Sequence, residues 1–414
     1  MNVAKTLGIL LGILIFMHVP GAAEEPKKGT RLKQETSMGF AISQTEFEQG
    51  LADVEEDLKM YGRLKDPGQT WVESEGKIYG AKPDKRGPIG GGKGYTQVIT
   101  NGDYRVSGLD ELLEALKKAK AGQIVYVDDK AVIDCTTRVH IEKLVIDIPG
   151  GVTLASGRGH AGSRGAMIFS DTLSTRPLIR TRGPDVRITG LRIRGPDPER
   201  RMYHHNRSLK EGYGSKYWSI FPVSAGIETT YPGVQVDNCE LAGWSHAAIM
   251  LKNGAGHYIH HNFIHHNQCN GLGYGICLDI AEALIDYNLF NSNRHSIAGT
   301  GRTVSGYEAA HNVELGESLG HCFDMHGGSD RKDGTDIAGT WIKIHHNTFR
   351  ALQTPINIRG TPEKECQVYE NWFPNHTNPK DKGGKPAALH KGKTVLENNR
   401  YRLPDNLELS PKQR

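Results

Sequence analysis

The chain has 414 residues, of which 50 are glycine and 37% are hydrophobic, and its 51 Lys and Arg side chains nearly balance 47 Asp and Glu side chains. Glycine at about 12%, against a usual 7% or so, favours turns and strands over long helices, so a helix bundle is disfavoured. The charges lie in mixed-sign stretches and leave no basic footprint of the kind that nucleic acid or anionic lipid requires.

Residues 1–23 have the pattern of a signal peptide. Lys5 gives a positive start, an apolar run extends from Leu7 to Val19, and Gly21-Ala22-Ala23 supplies small residues before a cleavage site. A membrane anchor is the alternative, but an apolar run of about 13 residues falls short of the roughly 20 that span a bilayer. We therefore expect a secreted or periplasmic chain that starts near Glu24 and is free of the membrane.

The pattern of apolar and polar residues changes after about residue 105. Helical spacing appears from Leu109 to Ala119 and gives way to a short strand pattern at Ile124 to Val127, which predicts a short capping helix on an all-β domain. The predicted segments are a signal peptide at 1–23, a polar extension at 24–105, the β domain at 106–403 and a tail at 404–414. The six cysteines have no CxxC spacing, so we expect buried thiols and no metal site.

An internal repeat dominates the second half of the chain. Asparagines flanked by apolar residues recur at intervals of 24, 26, 24, 35, 24 and 27 residues. They are Asn238, Asn262, Asn288, Asn312, Asn347, Asn371 and Asn398. Between them, a small or compact residue precedes an apolar pivot in each unit. The pivots are Ile227, Ile249, Ile276, Ile297, Phe323 and Ile356.

Two interleaved series of this period indicate a coil in which every turn carries strands of only a few residues. One such coil cannot bury its apolar face alone, so the coils must stack, with parallel strands about 4.8 Å apart around a narrow core. The asparagines suit this arrangement because Asn tolerates left-handed backbone at turns and stacked amides hydrogen-bond from coil to coil. The sequence therefore predicts a parallel β-helix.

Several segments resemble right-handed parallel β-helix proteins of the pectate-lyase-like superfamily. They are the helix at Leu109 to Ala119, the strand at Ile124 to Val127, Gly-Val-Thr-Leu at 151–154, and the HHN.F and YGICLD elements. The likeness covers about residues 107–403 and implies the right-handed parallel β-helix fold. That superfamily includes lyases, hydrolases, epimerases and non-enzymatic binding proteins, so the fold alone leaves the activity open.

Because side chains alternate between the faces of a strand, the residues one and three places after each inward pivot face outward. The first outward column reads Glu228, Met250, Cys277, Ala298, Asp324 and Asn357. The second reads Thr230, Lys252, Asp279, Thr300, His326 and Arg359. Among the charged members of the two columns are Lys252, Asp279, Asp324, His326 and Arg359. We expect these five side chains to lie side by side and exposed to solvent over roughly 15 to 20 Å, which is the length of a few sugar rings. A solvated charged face is the alternative.

Insertions at about 197–221, 299–308 and 327–341 are expected to wall this sheet face into a groove. His295 and Arg302 lie on the coil before the Asp324 strand and border the same groove. Tyr203, His205 and Arg207 lie in the first insertion, where aromatic and cationic groups can grip an acidic sugar chain, although loop packing explains them equally well.

The segment from Gly320 to Gly328 resembles the strand of mannuronan C5-epimerases that reads Gly-Phe-Asp-Pro-His. Phe323, Asp324 and His326 match, Cys322 and Met325 replace glycine and proline, and His321 stands where that family has tyrosine. The resemblance implies that Asp324 and His326 belong to an active site. A fold-supporting Asp–His pair is the alternative. Other histidines recur beside the asparagines and are expected to stack at turns: His260, His261, His265, His266, His345 and His346.

These groups suit removal of the proton beside a uronate carboxylate. Lys252 or Arg359 neutralises the carboxylate and the developing enolate. His326 or a lysine takes the proton, and Asp324 raises the basicity of His326. The residues assigned to substrate binding are Asp279, His295, Arg302, His321, Asn357, Tyr203, His205 and Arg207. Loss of O4 then gives β-elimination, whereas return of a proton on the other face gives epimerisation.

We therefore expect a monomeric exported enzyme on an acidic polysaccharide, a lyase first and a C5-epimerase second, without nucleic acid. Glycoside hydrolysis needs two carboxyl groups about 5 to 10 Å apart. Asp279 and Asp324 lie two coils apart, which corresponds to roughly 10 Å at the spacing of parallel strands, so hydrolysis by this pair is an alternative. A non-catalytic carbohydrate-binding β-helix is the rival class. No cofactor is required, and calcium held by Asp279 and Glu228 is the one candidate.

Overall fold

The computed structural model describes residues 67–199, 206–208, 210–214, 222–269, 271–381 and 383–402, which all belong to one compact unit, Glu56–Arg414. The predicted signal peptide, the first part of the polar extension and the tail at 404–414 lie outside the described residues. Across the described ranges, no helix combines the length and the apolar character needed to cross a membrane.

Three long parallel sheets wind around one core, because each coil of the chain adds one strand to each sheet in turn. Sheet A comprises β3 (Tyr104–Val106), β4 (Ile124–Val127), β7 (Thr153–Ala155), β10 (Arg187–Thr189), β13 (Gln235–Asp237), β16 (Gly254–His260), β19 (Ala281–Asp286), β22 (Gly306–Ala310), β25 (Trp341–His345), β28 (Glu365–Tyr369) and β31 (Thr394–Glu397). Sheet B comprises β5 (Val132–Asp134), β8 (Met167–Phe169), β11 (Arg192–Arg194), β14 (Glu240–Ala242), β17 (Phe263–His265), β20 (Leu289–Asn291), β23 (Val313–Glu314), β26 (Thr348–Phe349), β29 (Trp372–Phe373) and β32 (Arg400–Tyr401).

Sheet C carries the candidate site. It comprises β6 (Ile146–Ile148), β9 (Ile179–Thr181), β12 (Ala225–Thr229), β15 (Ala247–Leu251), β18 (Tyr274–Leu278), β21 (His295–Gly299), β24 (Phe323–Met325), β27 (Ile356–Ile358) and β30 (Ala388–Leu389). A short antiparallel hairpin, β1 (Trp71–Ser74) and β2 (Lys77–Gly80), precedes the three sheets. The architecture confirms the predicted right-handed parallel β-helix.

The predicted pivots form an unbroken inner stack in sheet C. Each pairs in register with the pivot of the next coil, and all are fully buried: Ile227, Ile249, Ile276, Ile297, Phe323 and Ile356. Burying one such side chain stabilises the fold by about 1.5 to 3 kcal/mol, but only when a neighbouring coil covers it. The stack therefore fixes which side chains of sheet C face the core and which face outward.

The predicted capping helix is α1 (Leu109–Lys118), which closes the first coil. Leu112, Ala115 and Leu116 face the core and are buried. Glu111 holds its start, because its carboxylate accepts the backbone N–H of Ser107 at 2.8 Å. Two shorter helices, α2 (Thr136–Glu142) and α3 (Gly328–Arg331), lie in connections between strands.

A ladder of asparagine side chains stabilises the turn between sheets A and B. In each step Nδ2 donates to Oδ1 of the next asparagine at 3.0 or 3.1 Å, and the same oxygen accepts a backbone N–H. The members are Asn262, Asn288, Asn312, Asn347, Asn371 and Asn399. Every amide is satisfied by its neighbours, so the ladder ties successive coils together.

Asn238 and Asn398 were expected in this ladder, and that expectation is wrong by one residue. Both have left-handed backbone, with φ of 53° and 49°, and each precedes the ladder position. On their coils the ladder position belongs to Cys239, whose N–H donates to Asn262, and to Asn399. The left-handed turn and the amide ladder are thus two adjacent positions rather than one.

The described part of the polar extension packs along this same turn. The backbone N–H of Gly92 donates to Oδ1 of Asn238 at 2.8 Å, and that of Gly80 donates to the carbonyl of Glu370 at 3.0 Å. Gly91 has φ of 65°, and a Cβ there would lie 2.4 Å from the carbonyl oxygen of His261, so only glycine fits. Residues 67–95 therefore pack directly against the outside of the β-helix.

Asn312→Ala tests the ladder. The substitution removes an amide that accepts from Asn288 and donates to Ile285 and Asn347, leaving their buried polar groups unpaired. We expect a loss of roughly 2 to 4 kcal/mol in the free energy of unfolding measured with urea, at about 1 to 3 kcal/mol per unsatisfied group. Asn101→Ala, at an exposed position, is the control. Equal stability of the two variants would contradict a stabilising role for the ladder.

Candidate active site

The two outward columns take their predicted places on sheet C. Register neighbours in the first column run from Glu228 through Met250, Cys277, Ala298 and Asp324 to Asn357. The second column continues the ladder beyond the strand ends, because each backbone N–H donates to the previous coil at 2.8 to 3.0 Å: Lys252, Asp279, Thr300, His326 and Arg359. The sequence therefore predicted correctly which residues share this face.

A cavity of ≈ 280 Å³ opens over these columns. Its lining residues are His246, Met250, Lys252, Leu272, Tyr274, Cys277, Asp279, Ala298, Gly299, Thr300 and His326. Met250, Cys277 and Ala298 pack with Tyr274 in an apolar cluster separate from the core, and Leu272 packs against it. The cavity thus combines an apolar surface with a wall of polar and charged side chains.

Asp324 is completely buried, which corrects the expectation that it would emerge into solvent. Arg359 covers it from the next coil, with Nε 2.9 Å from Oδ1 and a second guanidinium nitrogen at Oδ2. Nε2 of His326 lies 3.4 Å from Oδ2, and Nε2 of His295 lies 3.3 Å from the same oxygen. A carboxylate placed between three nitrogen-bearing side chains is held in one orientation.

Two opposing effects set the pKa of Asp324. Burial alone would raise this pKa, but the contacts with His326, His295 and Arg359 outweigh burial and lower it to about 2. The carboxylate is therefore ionised across the neutral pH range. Because Arg359 forms this ion pair and also lies 3.6 Å from Asp330, its charge serves Asp324 before it can serve a substrate.

A column of stacked aromatic rings lies at the opposite end of these strands from the charged column, and its first member, Tyr274, lines the cavity. Tyr274 stacks on His295 with ring centroids 5.8 Å apart, and His295 stacks on His321 at 6.2 Å. Burial lowers the pKa of His295 to about 3 and that of His246 to about 4, while burial raises the pKa of Tyr274 to about 12. At neutral pH the Tyr274 hydroxyl therefore keeps its proton.

Tyr274 and His246 were not predicted as site residues from the sequence. Tyr274, His295 and His321 each stand two places before a pivot, and this recurrence on three successive coils is a signal for the column, but strand alternation would place them on the inward face with the pivots. His246 precedes its pivot by three places and reaches the cavity from the turn before β15.

The other charged wall residues are paired. Lys252 lies 2.7 Å from Glu228, and its side chain keeps 40% of its exposure. Asp279 accepts from Thr300 at 2.7 Å and from Arg302 at 3.2 Å. Both carboxylates offered for calcium, Glu228 and Asp279, are thus already neutralised by a protein cation, so this pair does not fit a calcium site.

The remaining predicted site residues lie further out. His321 donates from Nδ1 to the Thr354 carbonyl at 2.9 Å and is absent from the cavity lining, as is Asn357. The Arg302 side chain is 54% exposed at the rim. Arg207 packs over the Tyr213 ring at 4.6 Å and is not among the residues that line the cavity. Tyr203 and His205 lie outside the described residues.

Neither a family model nor a curated protein matches the chain. Among solved structures it is similar to an alginate lyase from Paenibacillus sp. str. FPU-7, with 12% sequence identity and a TM-score of 0.39. The similarity covers 72% of this chain and 94% of the lyase chain. A likeness of this size does not bear on the activity of this chain.

The pH dependence of stability tests the Asp324 ion pairs. The folded-state pKa, about 2, lies below the ordinary value of 3.8, so the contribution is complete above about pH 4 and is lost as the pH falls through about 2. Over this interval we expect the wild type to lose roughly 2 kcal/mol more unfolding free energy than Asp324→Asn. Urea denaturation at a series of pH values measures the difference. Parallel curves would contradict the assigned charge.

Proposed function

We propose that the protein is an exported polysaccharide lyase that cleaves an acidic, uronate-containing chain by β-elimination, acting as a monomer. One observation carries the proposal: His326, backed by the ionised Asp324, lines the same cavity as the cation Lys252 and the protonated phenol of Tyr274. A general base, a counter-charge and a proton donor are the three groups that this reaction needs.

His326 is the proposed general base. A proton on Nε2 faces the Asp324 carboxylate at 3.4 Å, which leaves Nδ1 as the acceptor on the ring. Asp324 does not itself need to take the proton, because its pKa is held near 2. Asp324, clamped by the two guanidinium contacts of Arg359, is therefore a positioning residue that fixes the tautomer and orientation of His326.

Lys252 is the proposed partner of the substrate carboxylate. Proton removal from C5 moves negative charge onto the uronate carboxylate, and an ammonium group beside it lowers the energy of that charge. The Lys252 side chain lines the cavity and is partly exposed, so it can contact a ligand while Glu228 holds its outer side. This division of roles leaves Arg359 to support Asp324.

Tyr274 is the proposed proton donor to the leaving group. The electron pair from the broken C5–H bond forms the C4=C5 double bond, the C4–O4 bond breaks, and O4 takes the tyrosine proton while His326 holds the C5 proton. Burial keeps Tyr274 protonated, with a pKa of about 12, so it can donate but cannot serve as the resting base. Solvent then restores both groups.

Epimerisation shares the first step and remains the second candidate, since Tyr274 and His326 lie on opposite sides of the apolar column. The Phe323-Asp324-Met325-His326 resemblance to mannuronan C5-epimerases supports the same uronate chemistry. Hydrolysis is disfavoured, because it needs a protonated carboxylic acid in the site. Among the described residues, the carboxyl groups with pKa raised to about 7 are Asp286 and Glu314, and neither lines the cavity.

His326→Gln tests the base. We expect kcat on polyuronates to fall by about 10²- to 10⁴-fold, because a glutamine side chain cannot accept the proton. The measurement is the ultraviolet absorbance of the 4,5-unsaturated uronate formed from alginate, pectate, glucuronan and glycosaminoglycans. His140→Gln, on exposed α2, is the control. Unchanged turnover in His326→Gln would contradict the assignment. Reducing ends without new absorbance would indicate a hydrolase, and an altered uronate NMR spectrum alone would indicate an epimerase.

Lys252→Met tests the counter-charge. Loss of the ammonium group leaves the substrate carboxylate unneutralised, so we expect KM to rise and kcat to fall together, with weaker dependence on ionic strength. Lys343→Met, a half-buried lysine on sheet A that also pairs with a glutamate, is the matched control. If the two variants have the same kinetics, Lys252 does not contact the substrate.

A further inference from the structure

A second concentration of histidines lies at the turn between sheets A and B, away from the cavity on sheet C. Rings stack there from coil to coil, with centroids 5.0 Å apart for His261 and Tyr287, 4.8 Å for Tyr287 and His311, and 4.9 Å for His311 and His346. This stacking matches the expected role of the turn histidines. It does not account for all of their ring nitrogens.

Nitrogens from three of these rings converge. One ligand atom each from His311, His345 and His346 lies within 4.8 Å of the others. Nδ1 of His345 lies only 3.0 Å from Nδ1 of His346. Nδ1 of His311 is buried and has no hydrogen-bond partner. All three side chains are partly buried, so an ion can reach them from solvent.

The Nε2 atoms of His345 and His346 each face a glutamate carboxylate. Nε2 of His345 lies 3.2 Å from Glu308, and Nε2 of His346 lies 3.3 Å from Glu370. If each Nε2–H donates to its carboxylate, both Nδ1 atoms present lone pairs to each other at 3.0 Å. In that tautomeric state the two lone pairs repel, and a cation between them removes the repulsion. The other arrangement, in which Nδ1–H of one ring donates to Nδ1 of the other, leaves one carboxylate facing an Nε2 without a proton.

A proton or a metal ion can supply that cation. A metal ion can also take a third ligand from His311, because one nitrogen of that ring lies within 4.8 Å of a nitrogen from each of the other two. Imidazole nitrogens on a common zinc ion lie about 3.3 Å apart, since each Zn–N bond is about 2.0 to 2.1 Å. The 3.0 Å contact is close to that separation.

We propose that His311, His345 and His346 bind a divalent transition metal, Zn²⁺, through one nitrogen each, with water in the fourth position. Glu308 and Glu370 orient two of the ligand rings in the carboxylate–histidine–zinc arrangement. The proposal departs from the sequence-based expectation of no metal site. It does not depend on the proposed activity.

A similar histidine pair three coils before His345 and His346 suits a metal less well. Nδ1 of His260 lies 3.1 Å from Nδ1 of His261, and Asp286 completes a set of three candidate ligands. There, however, the guanidinium of Arg86 lies 3.6 Å from Asp286 and supplies the positive charge itself. Glu308 and Glu370 lie on the outer side of the His311 set, and no Lys or Arg among the described residues forms an ion pair with either of them, which favours this set as the metal site.

The proposed ion would clamp two neighbouring coils. His311 lies between β22 and β23, whereas His345 ends β25 and His346 follows it. The connection between these coils holds α3 and is the longest spacing in the ladder, 35 residues from Asn312 to Asn347. Because a metal that binds the folded form stabilises it, Zn²⁺ is expected to raise the melting temperature.

The test is Zn²⁺ binding to the full chain, measured by competition with a chromophoric chelator and by the shift in melting temperature. His311→Asn and His346→Asn remove one ligand each without opposing the backbone, since both positions have left-handed φ of 54° and 53° and the chain itself has Asn238 and Asn398 in that conformation. We expect one Zn²⁺ per wild-type chain, loss of stoichiometric binding and of the thermal shift in both variants, and neither loss in His140→Gln.

Glu370→Gln provides a variant that leaves all three ligands in place. Removal of the orienting carboxylate is expected to weaken Zn²⁺ binding by about 10- to 100-fold. The absence of stoichiometric binding by the wild type would overturn the proposal, as would full binding by His346→Asn. A doubly protonated His345 or His346 in ¹⁵N NMR spectra at neutral pH, unchanged by Zn²⁺, would show that a proton fills the role and would also overturn it.

Discussion

Register between neighbouring coils is the constraint on which the rest of this structure depends. A strand of three to five residues is stable only when the coils above and below it cover its apolar side chain, so Ile249 needs both Ile227 and Ile276. The asparagine ladder enforces the same spacing at the turn between sheets A and B. Once both are satisfied, the outward residues of sheet C have no freedom to change partners, and their side chains meet in fixed columns.

The candidate site uses this fixed register to hold a charge that a single coil could not accommodate. Asp324 is buried on β24, while its partners come from β21, from the end of its own strand and from the next coil: His295, His326 and Arg359. Each contact offsets part of the cost of burying the carboxylate. A change of register by one residue would leave the charge unpaired, so fold stability and site geometry share the same requirement.

Periodicity in the sequence predicted the coil, the pivots and both outward columns, because strand alternation and stacking leave little choice once the period is known. It could not show that Asp324 is covered, since burial there depends on how far the Arg359 and His295 side chains reach across coils. The position of the ladder was wrong at Asn238 and Asn398 for a related reason. Asparagine suits both the left-handed turn and the amide ladder, and sequence alone does not distinguish two adjacent positions that accept the same residue.

A solenoid whose coils touch only their neighbours behaves like a stack that can fray coil by coil from either end. Residues 67–95 change that behaviour here, because they join coils that are otherwise remote. The N–H of Ala81 reaches the Thr348 hydroxyl, 267 positions away, at 3.1 Å, while Tyr95 donates to Asp237 at 3.0 Å. Opening any coil that this lateral brace contacts, between Asp237 and Glu370, therefore also disturbs the segment that holds coils further along the solenoid.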